Sequence, residues 1–291
     1  MKNQDFIIFL IVAVLLFLPA SHLASQDITP DSTRIDKTRL YIVLGGVGTS
    51  AVVGHFVNYN NYWDNNGKFH FMDLENEYDD ALLSDKYGHL YFTYGFAKVA
   101  DHAFRWTGMD TIKSAFWGSI LSLGFQTYVE IQDGLSVGSP YLGFSFGDVA
   151  TNIAGAAFAY YHVKEPFLRN FNLKASLRKS PNFGKDGETD ILEDYESRYN
   201  WLTVNIHGFM PDSWQKWYPS FIDLAVGFSV RDIDRHGRGQ HEVFLALDWN
   251  FEQSPNDSKF EKILKDFLNL YHLPAPAVQI SPNVVWYGLF Y

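Results

Sequence analysis

Cysteine is absent from the 291 residues. A disulfide framework, a thiolate nucleophile and a zinc–thiolate centre are therefore excluded. The residue to which a bacterial lipoprotein anchor is attached is missing as well. Basic residues are scarce: 23 Lys and Arg stand against 33 Asp and Glu, a formal charge of −10. With no basic stripe, nucleic acid is not an expected partner. Neither a Gly-x-Ser-x-Gly elbow nor a His-Glu-x-x-His run occurs, so two common hydrolase signatures are missing. The acidic stretch "YWDNNGKFHFMDLENEYDD" lacks the spacing of an EF-hand and reads as a solvated loop. No internal repeat or low-complexity tract is present.

Aromatic residues are plentiful at 17%, and Trp and Tyr favour sites with one apolar and one wet side. Lys2 precedes the apolar run "FIIFLIVAVLLFLPA", residues 6–20, and the small residues Ala20, Ser21, Ala24 and Ser25 follow. That order predicts a secretory signal peptide over 1–25, cleaved near Ala24 or Ser25; the alternative is an uncleaved membrane anchor. The expected address is the bacterial cell envelope, on the periplasmic face of a membrane, with the outer membrane favoured. Membrane or envelope lipid is the expected partner.

The length allows one large domain or two modest ones. "LYIVLGGVGTSAVVGHFV", residues 40–57, is apolar and rich in small residues, which suits a helix packed closely against others. Three further apolar segments lie at about 85–105, 111–131 and 145–162, each near spanning length. After about Lys164 the composition turns charged and loop-like, with one strand. Period-two alternation comes next in "WLTVNIHGF", "FIDLAVGFSVRD" and "HEVFLALDWNF", the mark of half-buried antiparallel strands. "DIDRHGRGQ" reads as a hairpin loop. "DSKFEKILKDFLNLYHL" reads as an amphipathic helix capped by Asp257 or Ser258 and stopped before Pro274. The tail "VVWYGLFY" makes about five strands, too few for a standard closed membrane barrel. The expectation is an α+β chain. A bundle of about four helices over 38–165 comes first. A β-rich region over 166–291, with one amphipathic helix, packs on it.

Polar residues recur at helical spacing inside the apolar segments. Asp85 and His89 stand at i and i+4, beside Lys86. Gln126 and Glu130 repeat that spacing, with Asp133 three further on; Asp148, Asn152 and Gly155 stand at i, i+4 and i+7. Each set shares one helix face. Acids within apolar segments are costly unless they face one another or a wet cavity, so the three faces are expected to converge.

The stretches "SDKYGHLYFTY", "FQTYVEIQDG" and "FSFGDVATNIAGA" resemble the predicted periplasmic lipoprotein family, a domain of unknown function, in its Bacteroidetes-type form. "LEDYESRYNWLTVN", "FIDLAVGFSV" and "LPAPAV" have counterparts there, so the resemblance runs over about 38–291. The helical motifs also resemble the VanZ-like family of small membrane proteins. Asp85, Lys86, His89, Glu130, Asp148, Asn152 and Gly155 match its pattern, while Asp133 stands where that family usually has Gln. Neither resemblance implies a reaction.

Three readings of the cluster remain open. It can be a structural or binding polar core that fixes helix register. It can serve an enzyme acting on envelope lipid or glycolipid, a hydrolase or transferase, with Asp85, His89, Glu130 and Asp148 as catalytic groups. In that case Lys86, Gln126, Asp133, Asn152 and Gly155 would bind. It can hold a divalent metal such as zinc or manganese on His89, Glu130, Asp133 and Asp148. No other cofactor is expected.

Overall fold

The computed structural model describes residues 35–291 except 62, 64–66, 138–141, 185–190, 192–193, 235–236 and 254–257. The expected signal peptide lies outside the described residues. The chain is α+β, with helices first and an antiparallel sheet after them. It divides into two compact units. One comprises the chain up to Glu77 with Phe92–Lys164, the other Tyr78–Tyr91 with Glu165–Tyr291.

The first unit is helical. Helix α1 covers Lys37–Asn61 and a short α2 covers Leu74–Asp79. The helices α3 (Ser84–Trp106), α4 (Thr111–Leu135) and α5 (Phe146–Lys164) match the three polar-spotted apolar segments of the sequence. The stretch Lys37–Tyr59 of α1 is long and apolar enough to cross a membrane, and among the described residues no other helix passes that test. Val43 buries its side chain against Ala100, Ala103 and Phe104, while Tyr41, Ile42, Val52 and Phe56 stay exposed. His55 shares a 2.6 Å hydrogen bond with Tyr128 of α4.

Small and hydroxylic residues let the helices approach closely. The buried stripe of α4 reads Ser114, Ala115, Gly118, Ser119, Ser122, Gln126, Glu130. A Cβ at Gly118 would lie 2.8 Å from the carbonyl oxygen of Ala97 and 2.8 Å from the backbone nitrogen of Asp101. One turn later Ser122 donates to the carbonyl of Thr93 at 2.7 Å. Rising positions on α4 thus meet falling positions on α3, so the two run antiparallel. The pairs Phe116 with Tyr160 and Glu130 with Ser145 show the same for α4 and α5.

The second unit holds a six-stranded meander in the order β1 to β6, every neighbour antiparallel. The strands are Phe171–Leu177, Arg198–Val204, Ile222–Arg231, Gln240–Trp249, Ala275–Ser281 and Val285–Phe290. The sequence had suggested about five. The unforeseen one is β5, whose Pro276 lacks the N–H that a ladder needs. It is tolerated because the register shifts between Ala275 and Ala277, leaving Pro276 out of the pairing. The amphipathic helix α6 runs Lys259–Leu268, with Ser258 and Glu261 forming a capping box.

The sheet curls strongly. Phe290 of β6 comes within 5.2 Å of the ring of Tyr199 on β2 and within 4.7 Å of Phe244 on β4. Beyond the β1 edge, Ala175 exchanges backbone hydrogen bonds with Leu270 and His272. The concave side so enclosed carries Tyr199, Trp201, Phe244 and Phe290 at its centre. Lys174, Asp223 and Asp248 are buried towards one end, and Glu196 and Glu242 meet Arg231 at the other. The apolar alternating positions, Leu224, Val226, Leu245, Leu247 and Trp249 among them, face outwards and are exposed. The strands are half-buried as their alternation implied, but the polar half is the one turned in.

The tight α3–α4 crossing gives a direct test. Gly118→Ala should destabilise the protein by about 1–3 kcal/mol, because its new methyl group meets backbone that cannot rotate away. Gly124→Ala, with open space around its Cβ, should be neutral or stabilise by up to about 1 kcal/mol through helix propensity. Thermal or urea denaturation of the two variants side by side checks the contrast.

Candidate functional site

Helix α3 begins abruptly. Ala81, Leu82 and Leu83 hold φ values of 47°, 50° and 68°, three successive side-chain-bearing residues in the left-handed region. Each costs about 1–2 kcal/mol, a strain of the kind found where a chain must aim particular groups. Ser84 comes next and is fully buried. Asp85 then stands in the first helical turn, where the helix dipole favours a carboxylate.

Asp85 is the hub of the first cluster, which lies within the second unit. Its Oδ1 accepts a 3.0 Å hydrogen bond from the Tyr195 hydroxyl. Its Oδ2 lies 3.7 Å from His89 Nε2 and 3.9 Å from Lys86 Nζ. Arg198 stacks its guanidinium over the Tyr195 ring at 4.4 Å. Gly88 gives that arginine room, since a Cβ there would stand 2.9 Å from its Nη1. Burial pushes the Asp85 carboxyl upwards, but His89, Lys86, Arg198 and the Tyr195 hydroxyl outweigh it and hold the carboxyl below its usual range. The sequence brought Asp85, Lys86 and His89 together correctly. It gave no warning of Tyr195 and Arg198, more than a hundred residues away. They fall within "LEDYESRYNWLTVN", a stretch with no polar spacing of its own.

A second cluster forms within the first unit around the N-terminus of α5. Ser145 caps that helix: its hydroxyl accepts from the Asp148 N–H at 3.0 Å and donates to Glu77 Oε1. Glu77 also accepts from the Gly147 N–H at 3.0 Å. Glu130 of α4, 1% exposed, accepts from the Ser145 N–H at 3.4 Å. Two carboxylates therefore close on one helix N-terminus, where free N–H groups and the dipole both favour negative charge. One turn along, Thr93 of α3 donates to Asn152 Oδ1 at 2.8 Å, and both are fully buried. Glu130, Asp148 and Asn152 thus share this buried stretch, as their spacing implied. Glu77 and Ser145 were missed, since an acid in a loop-like stretch and a lone serine carry no helical period.

The remaining candidates lie apart from these bonds. Asp133 accepts a 2.6 Å hydrogen bond from the Trp63 indole N–H, which joins the end of α4 to the chain after α1. Gln126 and Gly155 are buried on the inner stripes of α4 and α5.

Asp85 gives this site a pH signature. A carboxyl held below its unfolded value stabilises the fold at neutral pH, and that contribution fades as pH falls through the folded value. Asp85→Asn removes it. The melting temperature of the variant should therefore fall less steeply than that of the wild type below about pH 4. Equal slopes in both proteins would remove the proposed charge pairing.

Asp85, Lys86, His89, Glu130, Asp133, Asp148, Asn152 and Gly155 all fall in one stretch of the chain that also finds a counterpart among known families. No curated protein and no solved structure matches the chain. Residues 76–164, which run from α2 through α5, are similar to the family described as predicted periplasmic lipoprotein (DUF2279), and the likeness spans this helical segment of the chain.

Proposed function

We propose that the chain is an exported, membrane-associated envelope protein whose helical segment carries a polar binding site at the start of α3, made by Asp85, Lys86 and His89. The observation that supports this most is the setting of the Asp85 carboxylate, which accepts from the Tyr195 hydroxyl at 3.0 Å and lies 3.7 Å from His89 Nε2 and 3.9 Å from Lys86 Nζ. Glu130, Asp148 and Asn152 belong to the separate polar cluster of the first unit.

The donor chemistry suits a divalent cation. Asp85 and His89 offer one carboxylate and one imidazole nitrogen, donors that zinc and manganese accept. Lys86 adds a positive charge beside them, which also suits a lipid phosphate brought in with such a cation. The address fits this ligand class. The family is described as periplasmic, and the outer membrane is the favoured membrane because the strands of the second unit are apolar on their exposed side. The chain has no cysteine for a lipid anchor, and α1 carries a stretch long and apolar enough to cross a membrane.

A second reading is an enzyme acting on envelope lipid or glycolipid. It is favoured by the Asp85–His89 pair, in which a carboxylate stands beside an imidazole that can move a proton.

Substitutions separate these readings from a purely structural core. For a binding or catalytic cluster, Asp85→Asn and His89→Gln should abolish zinc or manganese binding in calorimetry, or complementation in cells, with near-normal folding. For a cluster that only holds the fold, Asp85→Asn should change neither, while Asp85→Leu should cost about 1–3 kcal/mol by leaving its partners unmatched. Retained metal affinity and full complementation in Asp85→Asn and His89→Gln would overturn the proposal.

A further inference from the structure

We propose that the outward face of the six-stranded sheet is a lipid-contact surface, covered by the acyl chains of an envelope membrane. This rests on the membrane-associated reading above and deepens it, from residues that all lie in the second unit.

The starting point is the inversion of the sheet. Inward positions hold Asn172, Lys174, Thr203, Asp223, Ser229 and Asp248, all buried. Lys174 donates to the Trp249 carbonyl at 2.7 Å and to Asn269 Oδ1 at 2.8 Å, and it pairs with Asp248. Asp248 in turn meets His272 Nδ1 at 2.7 Å, and the Trp201 ring stacks on that imidazole at 3.9 Å. A sheet whose outer face met water would gain by the opposite arrangement, with Leu and Val inside and Lys and Asp outside. Here Leu202, Leu224, Val226, Leu245, Leu247 and Ile280 point out and are exposed. Apolar outside and polar inside is the arrangement favoured in hydrocarbon.

Charge identifies the occupant. Outward positions of the strands carry no Asp, Glu or Lys; the outward basic groups are Arg198 and His241, both towards one end of the sheet. A protein partner of ordinary composition would be met by a polar rim and by groups for hydrogen bonds across the patch. Hydrocarbon demands none, and it is the one surrounding that an uncharged band this continuous matches. The band also ends as a membrane contact should. At the opposite end, where Phe171 pairs with Val204, Val204 with Leu224 and Ile222 with Trp249, large rings gather. Phe171 contacts Phe209, Trp214 contacts Trp217, and Phe221 stacks on Trp249. Such a girdle belongs at the level of lipid headgroups. The two longest strands, β3 and β4, have ten residues each. The length needed to cross hydrocarbon as a tilted strand is about 9–11 residues.

Trp249 and Trp286 report on this face directly, for both are on outward positions and Trp286 is 81% exposed. Flotation alone does not decide, because α1 can hold the chain at a membrane by itself. The full chain should be reconstituted in phosphatidylcholine vesicles with and without bromine on the mid-chain carbons, which quenches indoles that touch hydrocarbon. The wild type should lose emission in the brominated vesicles, and the quenched component should shrink in Trp286→Phe and again in Trp249→Phe. Both replacements keep an aromatic ring at an exposed position and leave the interior untouched. If the quenched component is unchanged in both variants and iodide in the buffer reaches these indoles instead, the face is wet and the proposal is overturned. If neither quencher reaches them, another protein surface or a second copy covers the face, and the proposal is equally overturned. Failure of the full chain to bind vesicles at all would overturn the membrane-associated reading itself, a result distinct from both.

Discussion

A charge taken out of water has to be answered where it is buried, because leaving it alone costs more than a marginally stable fold can spare. That constraint shapes both units of this chain. In the second, Lys174 is closed by Asp248, a main-chain carbonyl and Asn269, and Asp248 is shared with His272. At the other end of the same sheet, Arg231 meets Glu196, Glu242 and the Tyr199 hydroxyl. In the first, the carboxylates of Glu77 and Glu130 are met by N–H groups and a hydroxyl at the start of α5. The two solutions differ in kind: one answers a charge with an opposite charge, the other with N–H and hydroxyl dipoles.

This difference bears on Asp85. It has both kinds of support: the start of α3 supplies a dipole, and His89, Lys86 and Arg198 supply positive charge. The electrostatic balance favours the ionised form at neutral pH. An ionised carboxylate beside an imidazole can orient it, accept its proton or share a cation with it. The left-handed turn at Ala81–Leu83 makes the position of this carboxylate expensive to maintain. A polar group used only as filler could be placed more cheaply.

Much of the helical half was legible because length and apolar content suffice to mark a helix. The segments expected near 85–105, 111–131 and 145–162 became Ser84–Trp106, Thr111–Leu135 and Phe146–Lys164. Helical spacing also grouped the polar residues correctly face by face. What spacing cannot supply is a partner from another part of the chain. Tyr195 and Arg198 reach Asp85 only because β2 is folded where it is, and Glu77 reaches Ser145 across 68 positions. Asp133 shows the converse: it has helical spacing like the others, yet the Trp63 indole claims it.

The sheet shows why alternation alone is an incomplete signal. A period of two separates residues into two faces but is symmetric between them, so it does not state which face is inside. The missing information lies in composition across strands. On β3 the two sets are Asp223, Ala225, Gly227 and Ser229 against Ile222, Leu224, Val226 and Phe228. In water, the second set would have to be the interior. It is not, because the first set shares its side of the sheet with Trp201, Phe244 and Phe290, whose rings need small neighbours. Gly227 leaves room for the Trp201 ring, which a Cβ would approach to 2.4 Å. Once those three rings fill the centre, the large aliphatic residues of β3 and β4 have no space inside and must stand outside. The interior is thus set by aromatic packing and ion pairing, and the apolar exterior is their consequence. A sheet that holds its charged groups in ion pairs on the inner side, Lys174 with Asp248 and Arg231 with Glu196 and Glu242, can present that exterior to hydrocarbon without a charge on it.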